Sequence, residues 1–137
     1  MKLNTYLHFS NGKCEEALNF YVKALGAKPV MMLRYSEAPT CDESAKEMSQ
    51  KIMHGRITLG DGVIMASDAP PGYFTKLEGF SINIGVETIE EAERLFTALS
   101  ENAEIGMPMA ETFWAQRFGM LKDQFGVPWM VNCEKKA

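Results

Sequence analysis

Residues Glu111–Asn132 read ETFWAQRFGMLKDQFGVPWMVN, and the fold turns on how they are read. The stretch holds both tryptophans, Trp114 and Trp129, in two aromatic-rich runs, Phe113 to Leu121 and Val127 to Val131. Lys122-Asp123-Gln124-Phe125-Gly126 lies between them. Two strand-like runs joined by a short Asp- and Gly-containing connection predict a β-hairpin. Gly126 can take the positive φ such a connection needs. Pro128 cannot donate to a ladder, which places it at the start of the last strand or at an edge. Trp129 reads as core. Two indoles on one hairpin also suit a cavity wall, because an indole needs both an apolar bed and a partner for its N–H.

Upstream, alternation and helical spacing punctuate the chain. Leu3 to Phe9 alternates as a strand, with Tyr6 and His8 opposite the apolar face. Ser10-Asn11-Gly12 is a turn and a plausible N-cap. Cys14, Ala17, Leu18, Tyr21 and Leu25 follow helical spacing, and Gly26 closes that helix. Val30 to Tyr35 and Ile52 to Leu59 are strands. The polar segment Ser36 to Lys51 is a loop, with one helical turn expected between Glu43 and Ser49. Gly60-Asp61-Gly62 turns the chain into Val63 to Ser67. After a Pro- and Gly-bearing linker, Phe80 to Val86 alternates, with Phe80, Ile82, Ile84 and Val86 inward. Thr88 with Glu91 forms a capping box for a helix whose stripe is Ala92, Leu95, Phe96 and Leu99. Met107 and Met109 mark a short strand before the final hairpin. The order is β-α-β-β-β, twice. Glu15-Glu16-Ala17 echoes Glu90-Glu91-Ala92, and Gly62-Val63 echoes Gly126-Val127. The expected organisation is a single domain over 1–137: module one about 1–68, a linker about 69–78, module two about 79–134.

Composition narrows the function. A chain of 137 residues, 46% hydrophobic, can bury a core without staples. A net charge of −4 with scattered Lys and Arg argues against a nucleic-acid surface. No apolar run approaches the ~18 residues of a spanning helix, so no membrane is expected as a partner. The opening MKLNTYLHFSNG lacks an apolar signal-peptide core. Cys14, Cys41 and Cys133, odd in number and without CxxC, suit a reducing cytoplasm. Cys14 reads as a small core residue. Ten methionines are many; methionine fills core gaps, and on a cavity wall it makes an adaptable surface for an apolar ligand.

The strand face opposite each apolar face carries Tyr6, His8, His54, Arg56, Thr58, Met65, Ser67, Ser81, Asn83, Met130 and Asn132. Two readings stand: a solvated sheet face, or the lining of a cleft. Tyr6, Met65 and Met130 favour the cleft, since large apolar groups are poorly placed on a bare face. Arg34 and Arg56 read as solvated strand-face charges.

Particular residues carry a family likeness. They are Cys14-Glu15-Glu16-Ala17, Phe20-Tyr21 and Leu25-Gly26-Ala27; His54, Gly60-Asp61 and Ile64-Met65-Ala66-Ser67-Asp68; and Glu111-Thr112-Phe113-Trp114-Ala115, Phe118-Gly119, Asp123, Phe125-Gly126 and Trp129-Met130. The chain resembles the PhnB-like branch of the vicinal-oxygen-chelate superfamily, which includes glyoxalase I, bleomycin-resistance proteins and extradiol dioxygenases. That branch is often labelled 3-demethylubiquinone methyltransferase-like. The resemblance implies an α+β fold in which two βαβββ modules form a curved mixed sheet, with helices outside and a cleft inside, and it implies a homodimer. The superfamily's four metal-ligand positions fall by resemblance on Tyr6, Met65, Ser81 and Met130. None is a histidine or carboxylate, so no metal cofactor is expected. No glycine-rich loop follows the first strand, so the label gives no basis for S-adenosylmethionine.

The expected function is a cytoplasmic protein binding a small, partly apolar molecule without a metal. The expected ligand-binding residues are Tyr6, His8, His54, Met65, Phe113, Trp114, Arg117 and Met130; no catalytic residue is assigned. The alternative is a metal-dependent lyase, transferase or dioxygenase with a shifted site, built on His8 and His54 with Glu111 as a further donor.

Overall fold

A computed structural model describes residues 1–39 and 47–136. Cys41 and most of the helical turn expected between Glu43 and Ser49 lie outside the described residues. The elements are β1 (Thr5–Phe9), α1 (Cys14–Leu25), β2 (Lys28–Arg34), β3 (Ile52–Leu59), β4 (Gly62–Asp68), β5 (Ile82–Val86), α2 (Ile89–Leu99), β6 (Glu104–Ala110), β7 (Ala115–Lys122) and β8 (Pro128–Glu134). The β-α-β-β-β order occurs twice, and the chain divides into two compact units, Met1–Lys76 and Leu77–Ala137.

Each unit builds one four-stranded mixed sheet, in the order β1-β4-β3-β2 in the first and β5-β8-β7-β6 in the second. The first and last strands of each unit run parallel; the other pairs are antiparallel. In α1 the stripe Cys14, Ala17, Leu18, Tyr21 and Leu25 is buried; in α2 it is Ala92, Leu95, Phe96 and Leu99. Gly26 ends α1 in the left-handed conformation, φ 72°, donating its N–H to the Val22 carbonyl. Thr88 caps α2, its hydroxyl oxygen accepting the Glu91 N–H at 3.1 Å.

The start of α1 departs from expectation. The residue before the helix is Lys13, which makes no side-chain cap. The Cys14 N–H donates instead to Asp68 Oδ1 at 2.9 Å, fifty-four positions away, and the Ile52 N–H donates to Asp68 Oδ2 at 2.8 Å. The Tyr35 hydroxyl donates to the Asp68 carbonyl at 2.8 Å. One carboxylate, 1% exposed, thus ties together the starts of α1 and β3 at the end of β4.

A second buried carboxylate organises the final hairpin. Asp123 Oδ1 accepts the Phe125 N–H (2.8 Å) and the Val127 N–H (3.0 Å), while Oδ2 accepts Trp129 Nε1–H at 2.7 Å. Trp129 is core, as expected, and its partner is this carboxylate. Gly126 has φ 87°, and Pro128 opens β8.

Register shows how closely the two units match. Met65 pairs with Tyr6 and Arg56; Met130 pairs with Asn83 and Met120. Gly55 and Gly119, one residue earlier on β3 and β7, therefore occupy corresponding positions. A Cβ on Gly55 would lie 2.6 Å from Leu18 Cδ1 of α1, and one on Gly119 would lie 2.8 Å from Phe96 Cε2 of α2. Each helix rests on its sheet where a side chain is missing. Three expectations are corrected. β6 is seven residues long rather than a short strand around the methionines. β7 begins at Ala115, so Phe113 lies outside it. Phe80 precedes β5 and is 42% exposed rather than turned inward.

Candidate functional site

The face of each sheet opposite its helix carries a row of large side chains set by register. In the first unit the row is Tyr6, Met65, Arg56 and Met31, crossing β1, β4, β3 and β2. In the second it is Asn83, Met130, Met120 and Met107, crossing β5, β8, β7 and β6. Five methionines thus lie in two rows, a polarizable surface that carries one charge, Arg56, in the first. The register also corrects the resemblance-based count. The residue corresponding to Tyr6 is Asn83, paired with Met130, and Ser81 lies before β5.

In the first unit Tyr6 gathers both histidines. Its hydroxyl lies 3.2 Å from His54 Nδ1, and its ring centroid is 5.0 Å from His8 and 5.7 Å from His54. Met65 stands directly across from Tyr6, and Ser67 across from His8. Arg56 is half-buried rather than fully solvated, and its Nε is buried without a hydrogen-bond partner. Arg34 is instead held at the rim by Glu15 (2.7 Å) and the Gln50 carbonyl (2.6 Å). That hydrogen bond, then the Glu15 charge, hold the Arg34 guanidinium above its ordinary pKa.

In the second unit Phe118 and Gly85 flank Asn132 across β7 and β5. Trp114, 44% exposed, meets Phe118 edge-on at 5.3 Å and Phe113 at 4.8 Å. Phe113 is 88% exposed. A pocket of about 600 Å³ opens beside Asn83, Gly85 and Asn132. Asn132 Oδ1 is buried and takes no hydrogen bond.

Arg117 does not join these residues. In the regular register of β7 with β8 it pairs with Cys133, on the helix-covered face, and its Nε donates to Glu93 of α2 at 3.3 Å. The expected pocket contact is thus turned to the opposite side of the sheet from Met130. Glu111 pairs with Lys135 at 3.3 Å at an exposed site. Asn83, Asn132, Arg56, Phe118 and Met120 join the faces as residues the sequence did not single out as ligand-binding. Their alternation was readable, but their neighbours depend on register.

Chemically, the donor set at the four superfamily positions is a phenol, two thioethers and, by register, an amide. This does not fit a hard or borderline divalent ion. Among the described residues no group of three or more His, Cys, Asp or Glu has metal-binding geometry. Nor is Cys14 a nucleophile: burial, then the negative charges of Asp68 and Glu15, push its thiol far above the ordinary range.

A family model described as 3-demethylubiquinone-9 3-methyltransferase matches residues 1–132. The chain belongs to this PhnB-like family. It is 34% identical to Protein YjdN of Escherichia coli K12, covering 99% of this chain and 97% of that one. It is 41% identical to the crystal structure of PA1353 from Pseudomonas aeruginosa, with TM-score 0.85 over 98% of this chain and 100% of that one. A putative 3-demethylubiquinone-9 3-methyltransferase, PhnB protein, from Bacillus cereus matches at 30% identity and TM-score 0.80, covering 97% and 99% of the two chains. A glyoxylase/bleomycin resistance/dioxygenase domain from Frankia sp. EAN1pec, 15% identical with TM-score 0.71 over 98% of each chain, shares the fold. The PhnB-like chain therefore has the α+β architecture of the glyoxalase/bleomycin resistance/dioxygenase superfamily.

The methyl transfer in the family's description calls for a cofactor seat, and the two helix starts are where an anionic group would rest. The β1–α1 turn has one glycine, Gly12, and the first amide of α1 is already taken by Asp68. The α2 terminus is capped by Thr88. Each helix start thus has one of its amides engaged by a side chain of this chain, at α1 by a buried carboxylate whose charge opposes an anionic cofactor there.

Proposed function

We propose that this PhnB-like protein binds a small, partly apolar molecule against the methionine-lined sheet faces, without a metal, as a cytoplasmic homodimer. One observation carries the reading. In each unit a buried polar atom without a partner, Arg56 Nε in the first and Asn132 Oδ1 in the second, lies beside a methionine row. Buried polar groups are nearly always paired, so an orphan on a face of mixed polar and thioether side chains supports a ligand whose docking turns the side chain to complete it. The residues assigned to contact that ligand are Tyr6, His8, His54, Met65 and Arg56 in one unit, and Trp114, Phe113, Met130 and Asn132 in the other. The apolar row supplies area, and the orphaned atoms supply orientation.

The test is titration of the native protein with 1-anilinonaphthalene-8-sulfonate, followed by dye fluorescence. Saturable binding weakened roughly tenfold by Met130→Ala or Trp114→Ala, a loss of about 1.4 kcal/mol, is the expected result. Binding that never saturates, or that ignores both substitutions, overturns the reading.

The second reading, a metalloenzyme on a shifted site, has one observation in its favour: Tyr6 brings His8 and His54 to one place. It requires stoichiometric metal that His8→Ala and His54→Ala each remove.

A further inference from the structure

We infer that the first unit's sheet face selects an organic carboxylate with an apolar body, the carboxylate seated on the open end of the Arg56 guanidinium. The inference rests on the small-molecule-binding reading and names the ligand class for one of its two faces. The chain has four arginines, and three are held in ion pairs: Arg34 by Glu15, Arg94 by Glu91 and Arg117 by Glu93. Arg56, half-buried, forms no ion pair or hydrogen bond among the described residues. Only Nε of its side chain is both buried and unpartnered; Nη1 and Nη2, equally unpartnered, are open to solvent. The contact therefore runs through the terminal fork and not through Nε.

The sheet supplies this cation with no counter-charge. Its four strands hold one carboxylate, Asp68, which is buried and accepts the Cys14 and Ile52 N–H groups. A partly desolvated guanidinium usually has a partner that offsets the cost of burial. Lys28, across from Thr58 and so on the face of Arg56, is exposed and also without an ion pair among the described residues. The chain's negative surplus belongs to the second unit, where ten carboxylates meet five cations; in the first, nine cations meet eight carboxylates. An anion is thus drawn to the first unit.

The neighbours of Arg56 choose among anions. Met65 and Met31 flank it across β4 and β2, a bed for hydrocarbon that adds no charge. The guanidinium fork matches a carboxylate through two parallel N–H···O bonds. His54 lies two residues away on β3, on the same face. With the Tyr6 hydroxyl donating to its Nδ1 at 3.2 Å, the imidazole keeps its proton on Nε2, a further donor. Donors beside thioethers suit an acceptor-only head on an apolar body.

The probes are 2-naphthoate and the neutral, near-isosteric 2-naphthamide, titrated into the native protein by calorimetry at neutral pH, where the acid is ionised. Saturable binding of the naphthoate, at least about tenfold tighter than the naphthamide, is expected. Arg56→Gln should erase the difference. Arg56→Lys keeps the charge but loses the fork, and should retain only part of it. Arg94→Gln, which removes a paired cation of the second unit, should leave it unchanged. Equal affinity for the two compounds, a preference that survives Arg56→Gln, or one that Arg94→Gln abolishes as well, overturns the inference. If Arg56→Gln does not fold, Arg56→Lys decides: a reduced preference supports the fork, and an undiminished one overturns it. If the naphthamide or the naphthalene dye binds saturably and the naphthoate binds no better than the naphthamide, the carboxylate class falls alone. If none of the three binds, the small-molecule reading falls with it.

Discussion

Two buried carboxylates do unlike work at a similar depth. Asp123 holds three N–H donors of one hairpin, and Asp68 joins segments that are far apart in sequence. Replacing Asp123 with Ala leaves three donors to be rehydrated or orphaned, so destabilisation of about 3 kcal/mol is expected from urea unfolding, together with a shifted Trp129 emission. Cys14 offers a test by pH. Its folded-state pKa is raised, by burial first and by Asp68 and Glu15 next. An acid raised in this way contributes stability that is complete below the unfolded thiol pKa, roughly 8.5, and is lost as pH climbs above it, because only the unfolded chain then releases the proton. Unfolding free energy should therefore fall between about pH 8.5 and 10, and Cys14→Ala should flatten that slope. The sequence made Trp129 and Cys14 readable as core, since indole and thiol in apolar stripes have few other places to go. It could not make Asp68 readable, because a cap supplied from fifty-four positions away leaves no local signature.

Elements followed their patterns wherever one face was buried. The two amphipathic helices and the β7–β8 hairpin have the residues and turn chemistry expected of them. β6 was underestimated because six of its seven residues are exposed, and an edge strand without a buried face has no alternation to read. Arg117 alternates with Phe118 and Met120, so plain period-2 register puts it on the helix side, where it meets Glu93; its expected ligand contact came from its place in the family-like stretch, which carries no information about face. The echo of Gly62-Val63 in Gly126-Val127 is one residue out of step with the pairing, in which Ile64 corresponds to Trp129. At this scale Gly119→Ala is the telling substitution. Its Cβ would press on Phe96 and Met109 and lie 3.2 Å from the Met107 carbonyl, so it should cost about 1–3 kcal/mol by displacing α2. Thr88→Ala should cost about 1 kcal/mol through loss of the cap on the same helix. Both are measurable by thermal or urea unfolding.

The two units repeat one plan with different chemistry: a phenol, imidazoles and guanidinium on one sheet face, amides and indole on the other. That division was partly legible, since alternation marked the polar faces; the rows themselves were not, because register is a property of pairing and not of composition. For the intact protein, elemental analysis without an affinity tag should find no stoichiometric metal, and Zn²⁺, Ni²⁺, Mn²⁺ and Mg²⁺ should leave the melting temperature unchanged, because binding to the native state alone would raise it. Sedimentation should give twice the 15.3 kDa chain mass if the homodimer reading holds. The parallel pairing of β1 with β4 also bears on the ribosome. The first strand emerges early, but its hydrogen-bonding neighbour is the last strand of its half, and the carboxylate that caps α1 arrives at the end of that strand. The nascent first half must therefore wait, helix uncapped and β1 unpaired, until translation passes Asp68; a chain stalled before that codon should remain open to protease, and one stalled far enough beyond it to clear the exit tunnel should not.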